Sequence, residues 1–162
     1  MNSGRSDARE HISEIIGDCV FHALGLKEAL RDERLALESQ DADELQLAVS
    51  LKSEFIEKLS RLDRRRRALC ESAGFPNGAG QMDHMTEWCD KNSVVRNSWS
   101  HLMEIVSECN AMNLTNGAII RARQQMVEAN LGVLRGADIN PNTYQREGHD
   151  NVAMNQRSLA QA

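Results

Sequence analysis

Residues 109–120 read CNAMNLTNGAII. This stretch decides the fold because it admits two readings. Asn116-Gly117 is a favoured pair for a two-residue hairpin turn, which would cut the chain into two shorter elements. The apolar spacing on either side argues for the opposite. One position recurs every seven residues through Val95, Leu102, Cys109, Asn116, Arg123 and Asn130. A second runs through Trp99, Val106, Asn113, Ile120, Val127 and Leu134. A turn at 116–117 would break this phase, so the periodicity predicts one helix over 93–135, with Gly136 as its stop. In that helix Asn113 and Asn116 face the seam and Gly117 lies beside it. Glycine there costs about 1 kcal/mol against alanine, which close approach of another helix would offset. The seam is apolar up to Cys109 and mixes Asn and Arg with Ile, Val and Leu from Asn113 onward. Its second half therefore reads as less completely covered by its own chain.

Two further long helices precede this one. Over 7–38, Ile12, Ile16, Cys19, Ala23, Leu26, Leu30, Glu33 and Leu37 alternate spacings of four and three, a coiled-coil seam holding one carboxylate. Asp41 followed by Glu44 marks a capped, acidic helix start. The helix over 42–73 carries the seam Leu45, Ala48, Lys52, Phe55, Leu59, Leu62, Arg66, Leu69 and Ala73, with Gly74 as its stop. Two helices of about 45 Å each, joined by a few residues, fold back as an antiparallel hairpin. Glu33 and Lys52 either neutralise one another across that hairpin or snorkel to its edge. The segment GFPNGAGQ, 74–81, is a loop. The segment 82–90 is a short helix whose Met82, Met85 and Trp88 fill the core at the end of the hairpin. Beyond Gly136 the chain turns rich in Asn, Gln and Asp, and 137–162 reads as a flexible tail.

The resulting expectation is an all-α protein: an elongated antiparallel hairpin, a third long helix along it, one short helix and a loose C-terminal tail. Two prolines and 4% aromatic residues agree with it. A net charge of −5 argues against nucleic-acid binding, and the run Arg64–Arg67 reads as a solvated face. No window approaches the roughly 18–20 apolar residues of a membrane span, and the N-terminal MNSGRSDARE has no signal-peptide core. Cys19, Cys70, Cys89 and Cys109 lack CxxC spacing and read as buried free thiols in a reducing cytoplasm.

No motif of an enzyme is present. There is no HExxH, phosphate loop, dinucleotide fingerprint or GxSxG. None of the five histidines has a glutamate three residues before it, as a di-iron bundle requires. No metal, cofactor or catalytic residue is expected.

The ordered residues resemble the FlgN family of flagellar type III export chaperones. The resemblance is carried by Leu26, Leu30, Glu33, Ala36 and Leu37 in the first helix, and by Asp43, Leu47 and Lys52 at the start of the second. It continues in Leu59, Leu62, Arg66, Leu69, Cys70 and Gly74 at the end of that helix. Its most specific part is Asn113, Asn116 and Gly117, followed by Val127, Leu131, Leu134 and Gly136, then Tyr144 and Gly148. The resemblance implies a non-catalytic cytoplasmic chaperone. It would hold the hook-associated proteins FlgK and FlgL unassembled through their C-terminal helical regions and deliver them to the export gate protein FlhA. On that basis Ile119, Ile120, Val127, Leu131, Leu134 and Ile139 are the expected client surface. Tyr144 either docks on the export gate or packs back on the third long helix. The competing expectation is a helical adaptor or scaffold that oligomerises through its seam; a weak homodimer is compatible with either.

Overall fold

The computed structural model of the chain describes residues 2–137, with side chains from 4 to 136. Four helices follow in order: α1 (Asn2–Ser39), α2 (Ala42–Ser72), α3 (Gln81–Cys89) and α4 (Val94–Ala137). No strand occurs among the described residues. Contacts group the chain into two units, Met1–Arg123 and Gln124–Ala162. The tail expected over 137–162, with Ile139 and Tyr144 in it, lies outside the described residues, apart from the backbone of Ala137.

α1 and α2 form the antiparallel hairpin. α1 ends on Gln40 in the left-handed region, φ 61°, while the Asp41 amide donates to the Ala36 carbonyl at 3.1 Å. Asp41 then starts α2, its Oδ1 accepting from the amides of Asp43 and Glu44 at 3.1 and 3.0 Å. The reversal thus takes two residues. At the far end Gly74 takes φ 93° and the Phe75 amide reaches the Cys70 carbonyl at 2.9 Å, so α2 stops at a glycine-based C-cap.

The seam read from α1 is the buried seam. Ile12, Ile16, Cys19, Ala23, Leu30, Glu33 and Leu37 are all buried and Leu26 is half-buried. Four neighbours join them: Ala8, Ile15, Ala29 and Ala36. The small residues let α2 come close. A Cβ on Gly25 would stand 2.5 Å from two ring carbons of Phe55, so the Phe55 ring lies directly on the α1 backbone. Nothing in the spacing of Gly25 distinguishes it.

α3 closes one end of the hairpin. Met82, Met85 and Cys89 pack with Ala8, Ile12 and Ile16 of α1, Cys70 of α2 and Val95 of α4 in one core cluster. Arg66 fastens this end: its Nη1 donates to Gln81 Oε1 at 3.1 Å, and its guanidinium lies 5.1 Å from the centre of the Trp99 ring. Gln81 in turn donates to the Phe75 carbonyl at 2.9 Å, fixing the loop that precedes α3. α4 starts within one residue of the position the periodicity predicts, and its side-chain cap comes from Asp90, at the end of α3, whose Oδ2 accepts from the Arg96 amide at 3.1 Å. Ser93 itself sits in the left-handed region at φ 57°.

α4 runs through Asn116-Gly117 without a break. Its first part, in the Met1–Arg123 unit, packs on α1 through Leu102, Ile105 and Cys109 against Ile15, Cys19, Ala23 and Leu30. Two contacts give the register. Cys109 Sγ donates to the Ala23 carbonyl at 3.7 Å, and Asn116 Nδ2 donates to the Leu30 carbonyl at 2.9 Å. Both pairs are 86 residues apart, so α4 runs parallel to α1 and keeps one register over that heptad.

Candidate functional site

Three helices of the Met1–Arg123 unit meet at one buried polar node. Glu33 of α1, Lys52 of α2 and Asn116 of α4 all occupy seam positions, where each would otherwise be a hydrophobe. Asn116 Nδ2 donates to Glu33 Oε2 at 2.8 Å as well as to the Leu30 carbonyl. Lys52 Nζ donates to Glu33 Oε1. The Glu33 and Lys52 side chains are 2% and 18% exposed, and Asn116 is 1% exposed. The two options left open for Glu33 and Lys52 are thereby decided in favour of the ion pair. A buried carboxylate without partners would cost several kcal/mol, and here both its oxygens are engaged. Asn116 Oδ1 has no hydrogen-bond partner among the described residues. The node does not add much stability over a hydrophobic equivalent. It selects register, because a slip of α4 along α1 would strand Glu33 and Asn116 in apolar surroundings.

Asn113 and Gly117, its neighbours in the stretch 109–120, behave differently from Asn116. Asn113 is exposed, not in the seam. The buried line of α4 is Val95, Leu102, Ile105, Cys109 and Asn116, with Met112 half-buried, so the second seam position is one residue earlier than the spacing suggested. Trp99 and Val106 widen that stripe as half-buried flanks. Among the described residues no second helix approaches Gly117. The contact a Cβ there would meet is Arg121 Nη1 of its own helix, at 3.3 Å. The glycine that does admit a neighbour is Gly25.

The family model for FlgN matches residues 10–151. The chain belongs to the FlgN family. This is a family of flagellar export chaperones, and Glu33, Lys52 and Asn116 of the node all fall within the matched residues. No curated protein and no solved structure matches the chain.

The residues expected to hold a client divide between the two units. Ile119 and Ile120 are half-buried in the first. In the Gln124–Ala162 unit, Val127, Leu131 and Leu134 are exposed at 57%, 45% and 64%, spaced four and three residues apart on α4. Met126 and Val133 beside them are also exposed. Five large apolar side chains within nine residues, none buried, form a solvent-facing apolar stripe of the kind that binds another helix. Ile139 and Tyr144 lie outside the described residues.

The four thiols are free and buried. Burial pushes all four up in pKa, Cys19 most, to about 11, with the Asp63 carboxylate adding to the effect and Arg66 opposing it. Such thiols are poor nucleophiles and poor ligands at neutral pH. Among the described residues no group of three or more His, Cys, Asp or Glu could hold a metal ion, and no helix is long and apolar enough to cross a membrane.

Proposed function

We propose that this FlgN-family protein is a cytoplasmic export chaperone that binds the hook-associated proteins FlgK and FlgL and delivers them to the export gate protein FlhA. The observation that supports a helical client most directly is the exposed stripe Val127, Leu131 and Leu134 on α4. A client helix destined for polymerisation carries an apolar face, and anchors spaced by three and four residues suit such a face. Ile119, Ile120 and Ile139 extend the same reading along the chain. Tyr144 supplies the export-gate contact. The hairpin and its polar node serve as a rigid base, and chemistry on the client is not part of the job.

The test is capture of purified FlgK and FlgL by wild-type protein and by a Val127→Glu/Leu131→Glu variant. Both substituted positions are solvent-facing, so circular dichroism and thermal unfolding stay as in wild type. Client affinity should fall at least tenfold. Full binding by the variant would refute the client surface. In a parallel arm, Tyr144→Ala should weaken binding to the cytoplasmic part of FlhA while leaving client binding unchanged. A stable homodimer that dissociates with the same Val127→Glu/Leu131→Glu change, without any client capture, would instead establish the scaffold reading.

A further inference from the structure

A second apolar surface lies within the Met1–Arg123 unit, apart from the exposed stripe. It is a groove of about 350 Å³ between α2 and α4, floored by Cys19, Ala23 and Leu26 of α1. Its α2 wall holds Ile56 and Leu59, and its α4 wall holds Met103 and Val106. The two lip residues face solvent in part: Ile56 is 48% exposed and Met103 39%. The walls follow helical spacing, 99-103-106-110 on α4 and 56-59-63-66 on α2. They run along the helix axes for about three turns, or roughly 16 Å. Parallel ridges of this spacing, with a floor between them, accept the ridge of one more helix.

The charges at one end say what that helix carries. Asp63 and Arg66 line the groove. Arg66 and Arg67 both bind the single carboxylate of Asp63, at 2.9 and 2.7 Å. Arg64, one turn beyond Ser60 on the outer flank, donates to the Ser60 carbonyl at 3.3 Å. Two guanidiniums thus share one carboxylate beside an apolar slot, with the third on its flank, in a chain whose net charge is −5. Of the run that reads from the sequence as a solvated face, the fold places Arg66 in the groove lining and Arg67 on its Asp63.

We propose that this groove is a docking slot for one amphipathic helix of a partner protein, with its apolar face against Ile56, Leu59, Met103 and Val106 and its carboxylates along Arg64 and Arg67. The apolar contacts supply affinity, and the arginines set orientation and exclude basic helices. This slot is independent of the client surface proposed on Val127, Leu131 and Leu134, and each can stand if the other falls.

The experiment uses the full chain and two synthetic amphipathic helical peptides with the same leucine face, one flanked by glutamates and the other by lysines. Fluorescence anisotropy at low salt should show the glutamate peptide binding at least tenfold tighter, with the gap shrinking at high salt. Arg64→Glu/Arg67→Glu should remove or reverse that preference. Met103→Glu should abolish binding of both peptides, whereas Leu131→Glu should leave it unchanged. Bound glutamate peptide should also slow alkylation of Cys19 on the groove floor, a readout that does not depend on any substitution. Equal affinity for the two peptides, undiminished binding by Met103→Glu, or loss of binding by Leu131→Glu would each overturn the proposal. So would light scattering that shows a wild-type dimer split by Met103→Glu, because the groove would then be filled by a second copy of this chain.

Discussion

Removing Lys52 tests the polar node most directly. In Lys52→Met the Glu33 carboxylate keeps its hydrogen bond from Asn116 but loses its cation among the described residues. Breaking a buried ion pair by deleting one partner costs about 3–5 kcal/mol. Lys52 is 18% exposed at its side chain, so water reaches part of the site and the expected loss is about 2–3 kcal/mol. In a Glu33→Leu background the Lys52 ammonium is free to turn to solvent, and the same Lys52→Met change should cost less than about 0.5 kcal/mol. The coupling between the two positions is then about 2 kcal/mol. Asn116→Leu alone should cost about 1–2 kcal/mol. It forfeits a hydrogen bond to a charged group but also removes the unpartnered Oδ1 and buries apolar surface. The triple change Glu33→Leu/Lys52→Met/Asn116→Leu should match or exceed wild-type stability while losing the device that selects register. The assay is urea unfolding followed by circular dichroism, comparing midpoints at constant slope. If Lys52→Met costs the same whether or not Glu33 is present, the node is not an interacting unit and the reasoning fails.

Three further outcomes follow from particular contacts. Gly25→Ala should destabilise by about 1–2 kcal/mol, because overpacking against Phe55 outweighs the helix-propensity gain; Gly117→Ala, which meets only the flexible end of Arg121, should stabilise by up to about 1 kcal/mol. Thermal midpoints moving in the same direction for both would contradict the packing described. Asp41→Ala should cost about 1 kcal/mol by stripping the cap from α2, and Asp41→Asn should retain most of it; chemical denaturation of the two variants side by side decides this. Cys19, with its thiol raised from 9.0 to about 11, should alkylate about 100-fold more slowly at pH 8 in the folded protein than in urea. Since the folded state holds this proton more tightly, its contribution to stability is complete below about pH 9 and is lost as pH rises toward 11. Equal labelling rates in the two states, mapped by mass spectrometry, would disprove the burial argument.

Much of the fold is legible in the residues because helical hairpins are governed by a one-dimensional rule. A seam repeated every three and four residues has one solution: α1 buries it but for half-buried Leu26, down to Glu33, and α2 buries Ala48, Leu62 and Arg66 with the rest of its seam half-buried. Caps were legible where the chemistry is local, as at Asp41 and Gly74. They were not legible at the start of α4, where the capping carboxylate comes from Asp90 at the end of the preceding helix. The second seam position of α4 was misplaced by one residue. Trp99, Val106 and Asn113 share a spacing with apolar neighbours, yet burial selects Ile105 and Met112 instead. Spacing alone cannot say which edge of a wide apolar stripe faces the partner helix.

For this member of the FlgN family, the sequence by itself determined that the chain is all-helical, that Asn116-Gly117 lies within a helix, and which face of each hairpin helix is buried. These are periodic properties, and a period is a property of one strand of chain. The tertiary structure decided what the exceptions to the period do. It joined Glu33, Lys52 and Asn116 into one node, gave the close approach to Gly25 instead of Gly117, and set Arg66 and, through Asp63, Arg67 beside an apolar groove. Each of these depends on the axial register of one helix against another. Register is fixed by contacts between residues as many as 86 positions apart, which no local pattern records.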